Sequence, residues 1–264
     1  MKPAMRTFHY GDSATQAGDL YLPEGDPRCV VCLLHGGFWK LPYGREQLTA
    51  VAQDLAARGH AAWNIGYRRV GEPGGGWPGA LDDTVAAISH LARLSPEGAS
   101  LDLRRVVVAG HSAGGQLALL AGAAGACSTV VPLAAAGLAG VVDLRRAHAL
   151  GSGNGAVAAL LGGAPEAVPQ RYAVASPRLR LPLGVRQLVL HGERDDALPA
   201  AMAHDYVRAA REAGDDVAFR ALPEAGHMDF LDPGSAAHAA FCAWLDALVP
   251  PAATAFPIAG RHAE

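Results

Sequence analysis

Short apolar runs alternate along the chain with longer stretches in which apolar residues recur every three or four positions. Apolar or β-branched runs of about four to eight residues, bounded by glycine, proline or charge, predict strands buried in a central sheet. The valine run 106–108 and the apolar run 29–34 are the clearest examples. The pattern predicts strands over residues 7–10, 19–22, 29–34, 61–66, 106–108, 128–133, 185–191 and 217–222, the first two at a sheet edge.

Helical spacing separates most of these runs. Residues 80–94, for example, place Leu81, Val85 and Ile88 on one face, which is typical of an amphipathic helix. Strands that alternate with helices predict an α/β fold with a mostly parallel sheet of eight-stranded type and helices on both faces. Helices are predicted over residues 44–58, 80–94, 116–121, 156–161, 166–173, 200–213 and 235–249.

Neither an internal repeat nor a second domain interrupts this alternation. We therefore expect a single domain over residues 1–250. Pro250 and Pro251 end the last predicted helix, and residues 251–264 are expected to form a C-terminal tail. Residues 134–184 are the least regular part of the chain, and we expect a lid-like insertion there that overhangs the site.

Composition narrows the class of protein. The 264 residues are 50% hydrophobic and 18% charged, as in a globular domain, and the net charge of −3 is too small to favour nucleic acid or acidic lipid as a partner. Residues 106–142 carry no charged side chain, but glycines and Pro132 interrupt them, so we predict buried strand and helix rather than a membrane span. Residues 1–12 lack the apolar core of a signal peptide, and a cytoplasmic location is expected.

The chain has four cysteines. Cys29 and Cys32 form a C-x-x-C pattern inside the predicted strand 29–34, where residues three apart face opposite sides of the sheet. They are therefore a poor redox pair or zinc clip. We expect them, with Cys127 and Cys242, to be buried reduced thiols.

Residues 110–114 (GHSAG) fit the pattern G-x-S-x-G, between the valine run 106–108 and a stretch of good helix formers. This context is that of a nucleophile elbow, a sharp turn that exposes a serine hydroxyl. The following helix also points its unpaired N–H groups at that position. The alternative, a glycine-rich turn without chemistry, is disfavoured by the flanking elements. We predict Ser112 as a nucleophile.

A serine hydroxyl needs a general base, and in sheets of this kind an acid and then a histidine follow the serine along the chain. His227 lies in a loop directly after a predicted strand and is the predicted base. His191, by contrast, ends a strand. Asp195 is predicted to orient the imidazole, with Asp196 as the main rival and Glu193 behind it.

A developing oxyanion needs preorganised N–H donors. We predict the N–H groups of Ala113, Gly37 and Phe38, because two glycines in the loop 35–39 (HGGFW) let its backbone approach a substrate. His35 is expected to brace this loop. Residues predicted to bind substrate are Phe38, Trp39, His111, Tyr67, Trp77 and Met228, of which Trp39 is equally a candidate loop anchor.

Neither a metal nor a cofactor is expected. The sequence has no H-E-x-x-H and no histidine cluster at ligand spacing. The glycine run 151–155 follows no predicted strand and opens no clear helix, so it does not resemble a phosphate-binding loop.

Four segments in this order, residues 35–39 (HGGFW), 110–115 (GHSAGG), 191–199 (HGERDDALP) and 226–227 (GH), resemble the α/β-hydrolase fold. More narrowly they resemble its H-G-G-x-W branch, which includes kynurenine formamidases and small carboxylesterases. Esterases similar to hormone-sensitive lipase carry a helical cap ahead of this element and a third glycine. Here 34 residues precede the element and phenylalanine stands in place of that glycine, so no large cap domain is expected.

The resemblance implies a serine hydrolase that cleaves a small ester or amide through an acyl-enzyme, with Ser112, Asp195 and His227 as its catalytic triad. An arylformamidase acting on N-formylkynurenine is the alternative. A non-catalytic binding protein on the same scaffold is less favoured, because the serine, acid, histidine and oxyanion loop are all present. The expected partner is a small-molecule ester or amide, without nucleic acid or membrane, and the oligomeric state is left open.

Overall fold

The computed structural model describes residues 4–94 and 101–250, so the predicted tail at 251–264 lies outside the described residues. Eight strands occur in the described part and join in one sheet. Their positions confirm the alternation of strands and helices expected from the sequence. The strands are β1 (Ala4–His9), β2 (Ala17–Leu22), β3 (Val30–Leu34), β4 (Ala61–Ile65), β5 (Val106–His111), β6 (Ala134–Leu138), β7 (Arg186–Gly192) and β8 (Val217–Leu222).

The sheet order is β1-β2-β4-β3-β5-β6-β7-β8. The pairs β1–β2 and β2–β4 are antiparallel, and all pairs from β4 to β8 are parallel. The carboxyl ends of β3, β5, β7 and β8 therefore lie along one edge, where reactive groups gather in sheets of this kind.

Helices cover both faces of the sheet. Their apolar residues divide into two clusters, and alternate residues of β3 point to opposite clusters, Val31 to one and Cys32 to the other. The helices are α1 (Thr49–Ala57), α2 (Gly79–His90), α3 (Ala113–Gly122), α4 (Leu144–Ala149), α5 (Ala156–Leu161), α6 (Pro169–Ala175), α7 (Ala200–Glu212) and α8 (Ala236–Leu248), with 3₁₀ turns at Arg45–Leu48, Leu91–Arg93, Pro177–Leu179 and Asp229–Leu231.

One predicted strand is wrong. Residues 128–133 form no strand, and β6 begins at Ala134 instead. Pro132 has no N–H to donate in a central strand, and the side chain of Val131 points outward, with the residue 70% exposed. The small side chains of β6 allow the glycine-rich helix α3 to pack closely, since a Cβ on Gly122 would lie 2.7 Å from the Cβ of Ala135.

The irregular segment consequently starts after β6, at residue 139, rather than at residue 134. Between β6 and β7 it carries three short α-helices, α4, α5 and α6, and the 3₁₀ turn Pro177–Leu179, and the described residues hold no large cap. Its role as a lid stays a prediction. Within residues 4–94 and 101–250, no helix combines the length and apolar character that a bilayer span requires.

The four cysteines are buried and free, as predicted. Cys29 and Cys32 belong to apolar clusters on opposite faces of the sheet. They therefore cannot act together as a pair.

Candidate active site

Ser112 lies in the sharp turn between β5 and α3. Its backbone has φ 53° and ψ −117°, a strained conformation for a residue with a side chain. The turn needs glycines at its flanks, because a Cβ on Gly110 would collide with the carbonyl oxygen of Gly114, and one on Gly114 with that of Leu34. The Ser112 N–H donates to the carbonyl oxygen of Leu138 at 2.9 Å, which fixes the turn to β6.

Two hydrogen bonds connect Ser112 to His227 and then to Asp195. The hydroxyl Oγ of Ser112 lies 2.9 Å from Nε2 of His227, and Nδ1 of His227 lies 2.8 Å from Oδ2 of Asp195. The three residues follow β5, β8 and β7 respectively. This array, which we call the relay, has the geometry that lets an imidazole remove the proton of a serine hydroxyl.

Asp195 folds its own loop around its carboxylate. Its Oδ1 accepts the N–H groups of Ala197 at 2.9 Å and Leu198 at 2.7 Å, leaving Oδ2 for His227. The rivals lie elsewhere: Asp196 is exposed, and Glu193 reaches toward His204 at 3.4 Å. The structure therefore brings Asp195, rather than Asp196 or Glu193, to His227.

The Asp195 side chain is completely buried. Burial alone raises the pKa of a carboxyl group, but hydrogen bonds from the side chains of His191 and His227 and from the backbone of Leu198 outweigh it and hold the pKa of Asp195 well below its usual range. The group is consequently a carboxylate at neutral pH and can stabilise an imidazolium on His227.

Two further histidines support the relay, and the sequence did not assign them this role. The Nε2–H of His111 donates to the carbonyl oxygen of His227 at 2.8 Å, and burial lowers the pKa of His111 to about 4. His191 contacts Asp195. Their positions, next to the serine and four residues before the acid, were visible in the sequence, but the partners are brought near only by the fold.

The loop 35–39 lies against the elbow. A Cβ on Gly36 would sit 3.1 Å from the Cβ of Ser112, so this backbone passes close to the hydroxyl. Gly37 and Phe38 have φ of 96° and 58°, which turns their peptide planes out of the strand direction. The N–H groups of Gly37, Phe38 and Ala113 donate to no acceptor within the described residues, as an oxyanion hole requires.

Buried aromatic residues hold this loop in place. The indole Nε1–H of Trp39 donates to Oε1 of Gln116 at 3.0 Å. The hydroxyl of Tyr67 donates to the carbonyl oxygen of His35 at 2.9 Å, and the two rings stack with centroids 4.2 Å apart. His35 thus braces the loop, as expected.

A cleft of about 490 Å³ opens beside the loop that carries Asp195, and neither Ser112 nor His227 is among its lining residues. Of the six residues predicted to bind substrate, only Phe38 lines it. Trp39, Tyr67 and His111 are at most 3% exposed and brace the site from beneath. The lining residues are Phe38, Leu150, Ser152, Gly153, Asp195, Asp196, Ala197 and Pro199.

The remaining two predicted pocket residues lie outside this lining. Trp77 is half-buried, and its backbone N–H donates to the carbonyl oxygen of Leu160 at 3.0 Å. Met228 follows His227 and is 56% exposed. The cleft residues that the sequence missed come mainly from the irregular segment, whose path over the sheet carries no periodic signal.

A separate group of possible metal ligands lies between α1 and α8, where Asp54, His238 and Cys242 place ligand atoms within 4.8 Å of one another. Oδ2 of Asp54 is already shared by Nε2 of His238 at 2.7 Å and Nε of Arg58 at 2.5 Å. The Arg58 guanidinium competes with any cation there, and the group joins two helices as a hydrogen-bonded network.

The parallel sheet, the elbow and the relay define an α/β hydrolase. The BD-FAE family model matches residues 19–209, and the chain belongs to this family of α/β-hydrolase esterases. The chain is also 30% identical to esterase LipC of Mycobacterium tuberculosis over 257 residues, which cover 89% of this chain and 63% of LipC. The kynurenine formamidase branch is not supported by these matches.

Solved structures agree on the fold. Esterase B from Lactobacillus rhamnosus superposes with a TM-score of 0.78 at 18% identity, covering 94% of this chain and 86% of that one. Esterase 2 from Thermogutta terrifontis, phosphonylated by sarin, gives a TM-score of 0.72 at 19% identity, covering 94% and 93%. A bifunctional GH43-CE protein from Bacteroides eggerthii gives 0.74 at 23% identity, covering 91% of this chain and 37% of that one.

Proposed function

We propose that the chain is a serine hydrolase that cleaves a small carboxylic ester through an acyl-enzyme. The observation that carries the proposal is the continuous relay from Asp195 through His227 to Ser112, with contacts of 2.8 and 2.9 Å. The proposal is supported by the membership of the chain in an esterase family and by the backbone N–H groups of Ala113, Gly37 and Phe38, which have no acceptor among the described residues.

In the first half-reaction, Oγ of Ser112 attacks the ester carbonyl carbon while Nε2 of His227 takes the hydroxyl proton. The oxyanion of the tetrahedral intermediate accepts hydrogen bonds from the N–H groups of Ala113, Gly37 and Phe38. The imidazolium then gives its proton to the leaving alcohol as the carbon–oxygen bond breaks. Asp195 stabilises the imidazolium during this step.

In the second half-reaction, a water molecule replaces the alcohol. His227 takes a proton from this water as it attacks the acyl carbon. The bond between the acyl carbon and Oγ then breaks, and the imidazolium of His227 gives its proton to Oγ of Ser112. The products are the carboxylic acid and free enzyme. The cleft of about 490 Å³ suits a small substrate, and we propose that the segment between β6 and β7 forms a lid-like wall of it through Leu150 and Ser152.

The test uses p-nitrophenyl acetate and an organophosphonate probe. We expect the wild-type protein to hydrolyse the ester and to gain one phosphonyl group on Ser112, since structurally similar esterases are found phosphonylated or phosphonate-inhibited. Ser112→Ala should lose both properties. A fully active Ser112→Ala protein, or a wild type that neither reacts nor labels, would reject the proposal in favour of a binding protein on this scaffold.

The arylformamidase alternative is tested in the same assay. The cleft lining contains one aromatic side chain, Phe38, so it offers no aromatic cage for a kynurenine ring. We expect kcat/KM for p-nitrophenyl acetate to exceed that for N-formylkynurenine. The reverse order would move the assignment to the formamidase.

A further inference from the structure

The buried histidine at the end of β7 contacts the acid of the relay. Nε2 of His191 lies 3.2 Å from Oδ2 of Asp195 and 3.0 Å from the carbonyl oxygen of Leu198. Both side chains of the His191–Asp195 pair are at most 1% exposed. No water-exposed surface is therefore left to solvate this carboxylate from the His191 side.

The acceptors around His191 assign its tautomer. Both groups near Nε2 are oxygen acceptors, so Nε2 carries the proton; it donates to the carbonyl oxygen of Leu198 at 3.0 Å and faces Oδ2 of Asp195 at 3.2 Å. Nδ1 is buried without a partner among the described residues, which fits a lone pair and would leave an N–H unsatisfied. His191 thus acts as a hydrogen-bond donor through Nε2.

The Asp195 carboxylate then has a full set of donors. Oδ1 accepts the backbone N–H groups of Ala197 and Leu198, and Oδ2 accepts His227 from one side and His191 from the other. Without His191, Oδ2 faces the imidazole of His227 alone. Its negative charge is then less dispersed, and its position depends on a single side-chain contact.

We propose that His191 is a positioning residue of the esterase, which anchors Oδ2 of Asp195 and disperses its charge, so that the carboxylate stays in place against Nδ1 of His227. This inference rests on the proposed function. The same Nε2–H donates to the carbonyl oxygen of Leu198, so His191 also connects the end of β7 to the loop that follows Asp195.

Two substitutions of His191 distinguish the effect of its Nε2–H donor from the effect of its ring volume. His191→Leu fills the space without a donor, whereas His191→Gln places an amide N–H near the original Nε2. His60→Leu is the matched control, since His60 is also 1% exposed and its Nδ1 contacts Sγ of Cys29 at 3.0 Å, away from the relay. All variants are first compared with wild type by thermal unfolding.

The readout is the pH profile of kcat/KM with p-nitrophenyl acetate. Removing the donor concentrates charge on Oδ2, stabilises the imidazolium of His227, and moves the acidic limb to higher pH by about one unit. We expect this shift and a lower kcat at little-changed KM in His191→Leu, near-normal values in His191→Gln, and no shift in His60→Leu.

A second measurement needs no turnover. The downfield proton NMR signal of the His227 Nδ1–H reports its titration directly, so it tests the inference even if the ester is not a substrate. A folded His191→Leu protein with an unmoved limb and an unmoved His227 titration would overturn the proposal. If His191→Leu does not fold, His191→Asn, whose shorter amide falls near Nδ1, replaces it. Equal profiles for His191→Asn and His191→Gln would then overturn the proposal.

Discussion

Trp39 donates its indole N–H to the side-chain oxygen of Gln116 at 3.0 Å, and both residues are buried. Trp39 ends the loop that carries two candidate oxyanion donors. Gln116 lies in the first turn of α3, the helix that begins after Ser112. A hydrogen bond in the core therefore connects the two halves of the candidate oxyanion hole.

Gln116→Leu breaks that connection and leaves the indole N–H unsatisfied. We expect the free energy of unfolding to fall by about 1–3 kcal/mol and kcat to fall about tenfold, because the donors of the loop lose their alignment with Ala113. Urea unfolding and ester kinetics measure the two effects. The double variant Trp39→Phe/Gln116→Leu should be less destabilised than the sum of its single changes. Loss of stability with unchanged kcat would show that the loop and the chemistry are independent.

Asp195→Asn keeps the shape of the acid but removes its charge and favours the wrong tautomer of His227. We expect kcat to fall by about three to four orders of magnitude, as for the equivalent change in other triads. Asp196→Asn is the comparison at the rival position, and because Asp196 is exposed and Asp195 is the acid that contacts His227, we expect a much smaller loss of kcat than from Asp195→Asn. A larger loss from Asp196→Asn than from Asp195→Asn would reverse the assignment of the acid.

Three buried histidines make stability depend on pH. Burial lowers the pKa of His35, His60 and His111 to about 4, whereas in the unfolded chain a histidine titrates near pH 6.5. Their contribution to stability is therefore complete above about pH 6.5 and is lost as pH falls toward 4, since only the unfolded state takes up the three protons. The expected slope is at most about 4.1 kcal/mol per pH unit.

Urea unfolding at several pH values between 4.5 and 7.5 measures this slope. His35→Asn retains a polar group near Nδ1 but does not titrate, so its slope should be shallower by up to about 1.4 kcal/mol per pH unit. Parallel curves for wild type and His35→Asn would mean that His35 takes up its proton over the same pH range in the folded protein as in the unfolded chain.

The close approach of α3 to β6 gives a fourth prediction. The Cβ of Ala135 faces Gly122, where a Cβ would already be within 2.7 Å. Ala135→Val overpacks this contact, and we expect a loss of about 1–3 kcal/mol in the free energy of unfolding. Val131→Ala, at a residue 70% exposed, should change it by less than about 0.5 kcal/mol. Similar values for both variants would contradict the packing argument.

Much of this molecule follows from local sequence. The apolar run before Gly110 predicts β5, and the position of His227 directly after a strand predicts its place at the carboxyl edge of the sheet. These features depend on neighbours in the chain, which the sequence displays. Strand propensity placed β6 too early in the chain, because the β-branched run before Pro132 looks more like a strand than Ala134–Leu138 does. The alanines of β6 instead reflect the close packing of α3 against this strand.

The cleft was harder to predict than the relay. Aromatic residues near the motifs, such as Trp39 and Tyr67, were expected to face the substrate, but burial of their rings stabilises the fold more than exposure in a cleft. Leu150 and Ser152 reach the cleft from a segment without periodicity. The contact of His191 with Asp195 depends on the turn between them, which only three-dimensional geometry reveals.

The segment between β6 and β7 supplies Leu150, Ser152 and Gly153 to the cleft and none of the three relay residues. Under the proposed function, part of the substrate contact is therefore encoded apart from the reactive residues, while the loop 195–199 contributes to both. A chimera that exchanges the segment between β6 and β7 for that of another esterase should then alter ester preference while Ser112, Asp195 and His227 stay in place.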